Sequence, residues 1–173
     1  MKTIKRISAV LFAVILVAIM AAPAFAVEHK GSIKVTDVTP TKTYNIYRIF
    51  DMTADVDDTD VINGVFYTVN SAWTEFFEAG GAGAEYLLDS DSADGLPVTV
   101  FGGHNKYINI IDANVAEFSQ AAQEYVISKN LAPTASQNAP AAGVMEVKFK
   151  NLDLGYYLVY PYGATQLKGT NAS

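Results

Sequence analysis

The sequence contains no cysteine. Disulfide staples, thiol catalysis and Cys-ligated metal centres are therefore excluded, and stability must come from core packing, bound ions or another covalent device. Histidine occurs only at His29 and His104, each alone, which removes the usual nucleus of a transition-metal site. Bases are scarce too: 12 Lys+Arg stand against 18 Asp+Glu. That acidic balance argues against nucleic acid and anionic membrane surfaces, both of which attract basic patches. There is no G-x-S-x-G nucleophile elbow. There is no phosphate loop either, since "GGAG" at Gly80–Gly83 has no Lys-Ser/Thr behind it.

Long apolar runs are missing except at the start. "MKTIKR" is a basic n-region, Ile7 to Ala22 is uncharged and apolar, and "AFA" at Ala24–Ala26 offers small residues for cleavage. This is the pattern of a secretory signal peptide, residues 1–26, with the mature chain starting at Val27. The run is shorter than the roughly 20 residues that span a bilayer. Removing Lys2, Lys5 and Arg6 leaves 9 basic against 18 acidic residues, a formal charge of −9. Residues 27–173 are long enough for one domain with a sizeable core.

Along the mature chain, period-two patterns dominate. Gly31–Asp37 alternates Ile33 and Val35 against Ser32, Lys34 and Thr36. Thr43–Asp51 alternates Tyr44, Ile46, Arg48 and Phe50 against Asn45, Tyr47 and Ile49, all suited to a pleated surface. After an acidic loop at Asp51–Asp60 comes a strand over Val61–Val69, in which Asn63-Gly64 marks a tight turn or a bulge. Ser71–Ala79 reads as a short helix capped by Ser71, with Trp73, Phe76 and Phe77 on one side. Pro97–Phe101 and Lys106–Ile111 form a hairpin around "GGHN". Asn114 opens the clearest helix as N-cap, with Glu117 completing a capping box and Lys129, Asn130 and Pro133 ending it. Ala132–Gly143 is a small-residue loop, and Val144–Phe149 and Gly155–Tyr160 are the last strands. About seven strands in consecutive runs predict an all-β sandwich with one or two helices on its connections.

Sites for chemistry are few. "DSDSADG" places Asp89 and Asp91 at the first and third positions of an ion loop. Ala93 stands at position five, Asp94 replaces the glycine at six, and Val100 replaces the glutamate at twelve, so the EF-hand pattern fails. This loop and "DVDDTD" read as solvated acidic loops. The aromatics read as core and cross-strand pairs before they read as a sugar platform. No catalytic, cofactor-binding or metal-ligating residue is assigned, and no enzyme activity or cofactor is expected.

"VKFKNLDLGYYLV", Val147–Val159, resembles the closing motif of CnaB-type immunoglobulin-like modules. There a strand ending in Phe is followed by a turn, Gly-x-Tyr and an aliphatic pair. "TKTYNIYRIFD", Thr41–Asp51, is similar to an early strand of the same family. With the leader and the capped helix, the set resembles most closely the N-terminal domain of sortase-assembled pilin subunits of Gram-positive bacteria. On the residues alone, Asn151–Gly155 is a chain-reversing turn with Gly155 supplying freedom. Tyr156, Leu158 and Tyr160 then face one side and Tyr157 and Val159 the other, both sides covered.

The resemblance implies a structural subunit domain of a cell-surface pilus, secreted, wall-attached and supporting adhesion. Its implied partners are other pilin subunits and a sortase, with host matrix or carbohydrate as ligand, and neither nucleic acid nor, after leader cleavage, a membrane. The alternative is a secreted carbohydrate- or matrix-binding adhesin module using the acidic loops and the Trp73 region. The family's internal Lys–Asn isopeptide bond is not expected. Tyr160 stands where the promoting glutamate follows the aliphatic pair, and Asp37 stands near the place of the lysine, with Lys34 three residues earlier. The partner Asn would lie at or beyond Asn171. In the family's Tyr-Pro-Lys context this chain reads "VYPY", so the candidate sortase acceptor is Lys168, the only lysine past the last strand. No wall-sorting signal follows, so the leading part of a longer subunit, or a truncated product, is expected.

Overall fold

The structure is a computed structural model that describes residues 15–16, 30–56, 62–89 and 96–162. It is mostly β, with one curled multi-strand sheet, a second two-stranded sheet and two short helices. In chain order the strands are β1 (Ile15–Leu16), β2 (Lys30–Thr36), β3 (Thr43–Val56), β4 (Ile62–Val69), β5 (Leu87–Leu88), β6 (Val98–Phe101), β7 (His104–Ile108), β8 (Ala135–Asn138), β9 (Glu146–Asp153) and β10 (Gly155–Pro161). The helices are α1 (Thr74–Phe77) and α2 (Val115–Lys129).

The larger sheet runs β1-β10-β3-β4-β6-β7-β5, with β8 also on β3. The smaller pairs β2 with β9. Two apolar clusters lie on opposite sides of β3 and β10. Ile33, Tyr44, Ile46, Val147, Phe149, Leu152, Tyr157 and Val159 fill the space between the sheets. On the other side Tyr47, Ile49, Phe50, Trp73, Phe76, Phe118, Leu158 and Tyr160 pack with the helices. The expected split of Tyr157 and Val159 from Leu158 and Tyr160 is therefore observed, and β10 is covered on both faces.

Several local expectations are corrected. β3 extends through Val56, so the acidic segment does not begin as loop at Asp51. Pairing of Asp51, Met52 and Thr53 with Thr68, Tyr67 and Phe66 on β4 outweighs the low strand preference of Asp. The strict alternation of β3 breaks at Ile49. Tyr156 opposes Phe50 while Tyr157 opposes Arg48, so Ile49 is the extra residue of a bulge. The bulge turns Ile49 and Phe50 to the same helix-side core. Asn63 is likewise a bulge, because Val56 opposes Ile62 and Asp55 opposes Gly64.

The short helix is capped by Asn70, not Ser71: Asn70 Oδ1 accepts the Ala72 N–H at 3.2 Å, and a 3-10 turn over Ser71–Trp73 precedes α1. Asn114 borders α2 but caps nothing, since its side chain accepts from Ile111 N–H at 2.9 Å and donates to the Asn109 carbonyl at 2.8 Å. Asn130 does end α2, in the left-handed conformation. The small-residue stretch contains β8, and β5 with the turn Ala84–Tyr86 lies where no element was expected.

The course of the chain fixes two poles. Lys30 opposes Asp153 at one end, where β10 begins at Gly155. At the other end Thr36 opposes Glu146 and Pro161 opposes Tyr44. The chain thus enters β2 at one pole and leaves β10 at the other. Ile15 and Leu16 pair with Tyr157 and Tyr156 on the outer edge of β10, so the cleavage expected after Ala26 would unpair that edge.

Candidate functional site

The junction of β9 with β10 gathers the residues of the opening motif. Only Leu154 separates the two strands. The residue with positive φ is Asn151 (φ 56°), inside β9, where three register steps from Phe149 to Leu152 oppose two from Ile33 to Gly31. Asn151 therefore forms a bulge, and the expected reversal on Gly155 is corrected. Gly155 is needed for another reason: a Cβ there would sit 2.1 Å from the Phe50 carbonyl oxygen. The Tyr157 hydroxyl reaches back and donates to the Asp153 carbonyl at 2.7 Å.

Above this corner lies a charged network. Lys30 donates to Asp153, and Arg48 Nη1 reaches the other Asp153 oxygen at 2.8 Å. Arg48 Nε lies 2.8 Å from Asp51 Oδ1 but off the hydrogen-bond direction, so this buried nitrogen has a charge partner without a hydrogen bond. The Lys30 hydrogen bond, with further help from Arg48 against the opposing effect of partial burial, holds Asp153 below the usual carboxylate range. Lys30 on β2 is thus tied to the β9–β10 corner by an ion pair. An ionised, half-exposed carboxylate is the wrong form for amide formation with a lysine amine, which needs a carboxyl kept neutral by burial.

Tyr160 is buried on the helix side. It stacks on Tyr47 with ring centroids 5.4 Å apart, and its hydroxyl lies 3.5 Å from the Tyr47 hydroxyl. Asn45 donates to Tyr47 at 3.3 Å and accepts from Ser136 at 2.7 Å. Burial first, then the Tyr47 hydrogen bond, raises the Tyr160 pKa, so the phenol stays neutral. The position at which a carboxylate would be sought holds a neutral polar cluster.

The other expected site residues are not brought together. Lys34 is exposed, 4.0 Å from Glu146. Asp37 is an exposed residue with φ 55°. Lys168, Asn171, His29 and most of both acidic loops lie outside the described residues. His104 sits exposed beside the Gly102-Gly103 turn. Trp73 is only 1% exposed and packs against Phe76 and Tyr125, so it presents no platform to a sugar.

A cavity of about 120 Å³ lies between Tyr47, Arg48, Asn70, Trp73, Leu131 and Thr134. It is smaller than the roughly 300–1,000 Å³ of ordinary ligand pockets. Among the described residues no group of three His, Asp or Glu could hold a metal ion, and no helix is long and apolar enough to cross a membrane. The sequence missed the network because Lys30 and Asp153 are separated by 123 positions; the only signal was their place at the ends of matching strands. No family model, no curated protein and no solved structure matches the chain.

Proposed function

We propose that the chain is a CnaB-type immunoglobulin-like domain of a sortase-assembled, cell-surface pilin, acting as a structural unit of the fibre. The observation that carries this reading is the course of the chain. β2 begins at one pole and β10 ends at the other, so tension along the chain is applied across the whole body. β10, the last strand, is clamped between two cores. Pulling it out would strip seven residues of β3 pairing and expose Tyr157, Leu158, Val159 and Tyr160. The resemblance of "LDLGYYLV" and "TYNIYRIFD" to pilin domains supports the same reading.

At the exit pole Tyr162 N–H donates to the Thr43 carbonyl at 2.6 Å. That contact sets Tyr162 beside Thr43, the chain neighbour of the exposed Lys42. A fibre built by transfer of a neighbour's C-terminal threonine to a lysine amine needs an exposed amine at this pole. The test is reaction of the secreted protein with its cognate sortase and a threonine-donor peptide, followed by peptide mapping. Modification is expected to be inefficient and confined to Lys168 or to Lys42, the exposed lysine of the exit pole. Efficient modification at Lys34 or Lys148, inside the strands, would overturn this orientation of the domain in a fibre.

A further inference from the structure

Beyond β10 the larger sheet holds only β1, two residues long. β1 reaches no further than Tyr157, so among the described residues Val159 has a strand on one side only, at Ile46 of β3. The ladder shows which backbone groups stand on the outer edge. Tyr162 N–H donates to the Thr43 carbonyl, and the pairs alternate from there, so Tyr160 and Leu158 exchange hydrogen bonds with β3. Tyr157, Val159 and Pro161 lie between them and turn their backbone outward. Their β3 partners agree. The Ile46 carbonyl accepts from Thr134 N–H at 2.8 Å and Arg48 N–H donates to Thr134 Oγ1 at 3.0 Å, both on the β8 side of β3. The side chains of Tyr157 and Val159 belong to the core between the sheets, so the edge itself presents main chain.

β10 lacks the usual guards of a sheet edge, which are shortness and lysines. The opposite end of the larger sheet is the two-residue β5, and the strands of the smaller sheet carry Lys30, Lys34, Lys148 and Lys150. β10 is seven residues, GYYLVYP, without a charge. Only Pro161, which has no N–H, interrupts its outward groups. Ile15 and Leu16 show what this edge accepts: an uncharged strand running antiparallel. Both lie in the stretch expected to be removed by cleavage after Ala26.

β10 itself meets that description. Two copies related by a two-fold axis run antiparallel, and with Leu158 on the axis Tyr157 of one copy stands opposite Val159 of the other. Their outward N–H and C=O groups then pair in both directions. The ladder stops where Pro161, with no N–H to give, meets Gly155 of the other copy. We propose that the mature protein dimerises through this edge, β10 against β10, joining the larger sheets of two copies into one. Each copy has one such edge, so the contact is isologous and closed. The inference requires the expected leader cleavage and does not depend on the pilin reading.

The test is sedimentation of the mature protein, from Val27 onward, over a range of concentration and salt, with amide hydrogen exchange read residue by residue by NMR. A monomer–dimer equilibrium with no larger species is expected. It should strengthen as salt screens the repulsion between two acidic bodies. The Tyr157 and Val159 amides should exchange more slowly in the dimer than in the monomer, whereas those of Leu158 and Tyr160, bonded to β3, should be protected at every concentration. Val159→Pro removes an outward donor that takes no part in the β3 ladder, and it should be monomeric; circular dichroism and a cooperative melt establish that it is folded. Exchange in the wild type decides the matter should that variant not fold. A wild type that stays monomeric, assemblies beyond the dimer, a dimer whose Tyr157 and Val159 amides are no slower than in the monomer, or a folded Val159→Pro variant that dimerises like wild type would each overturn the proposal.

Discussion

Gly155 and Asn151 divide between them what looked like one turn. Gly155 lets the start of β10 approach the Phe50 carbonyl, and Asn151 takes the left-handed backbone of the β9 bulge. Asn tolerates that conformation better than most residues, so the sequence marks the position but not which residue does which job. Gly155→Ala places a methyl group 2.1 Å from a backbone oxygen and forces β10 away from β3. We expect it to cost about 2 kcal/mol or more, within the range of overpacking substitutions. Denaturant unfolding of the variant and wild type checks this; a loss below about 0.5 kcal/mol, the scatter of neutral surface changes, would contradict the close approach.

At the scale of elements, the strands with strong alternation were legible, and so was the two-sided burial of β10. What was not legible depended on pairing. The second half of β3, with Asp51 and Asp55, is strand because β4 lies beside it. β8 has the sequence "ASQN" and no apolar pattern at all, yet it pairs with Thr43–Ile46. The bulge at Ile49 reversed the face of Phe50 without any glycine or proline to announce it.

The tie between β2 and the β9–β10 corner is equally non-local, and its pH dependence tests it. The pKa of Asp153 is lowered in the folded state, so its contribution is present above the unfolded carboxylate value of about 3.9 and is lost as pH falls through the lower folded value. Asp153 is half exposed, so solvent screening keeps the contribution to about 1 kcal/mol or less. Asp153→Asn should therefore be slightly less stable than wild type near pH 7, as on the order of one exposed ion pair requires. The difference should vanish in acid, well below the carboxylate range. Urea unfolding at both pH values measures it, and a difference that persists in acid would assign Asp153 a role other than its charge.

For the whole molecule, the absence of cysteine, the acidic balance and the strand runs limited the fold to a mostly β body held by packing. That body has two cores separated by β3 and β10. The sequence could not place the poles, because they follow from which strands pair. Nor could it show that β2, β3 and the end of β9 are joined by Lys30, Arg48 and Asp153 as ions. An intact mass of the secreted protein should correspond to residues from Val27 onward, with no loss of ammonia or water. A mass lower by one ammonia or one water, mapped to a lysine of β2, would show a covalent tie in place of the ion pair. A mature form retaining Met1 would overturn the leader.

The claim that the domain is a structural unit of a covalent fibre is tested most directly on the cells that make it. Wall fractions boiled in detergent and probed with antibody against this domain should give a ladder of bands extending far above the monomer, and the ladder should disappear when the sortase is deleted. A single band at monomer size, unchanged by the deletion, would contradict it.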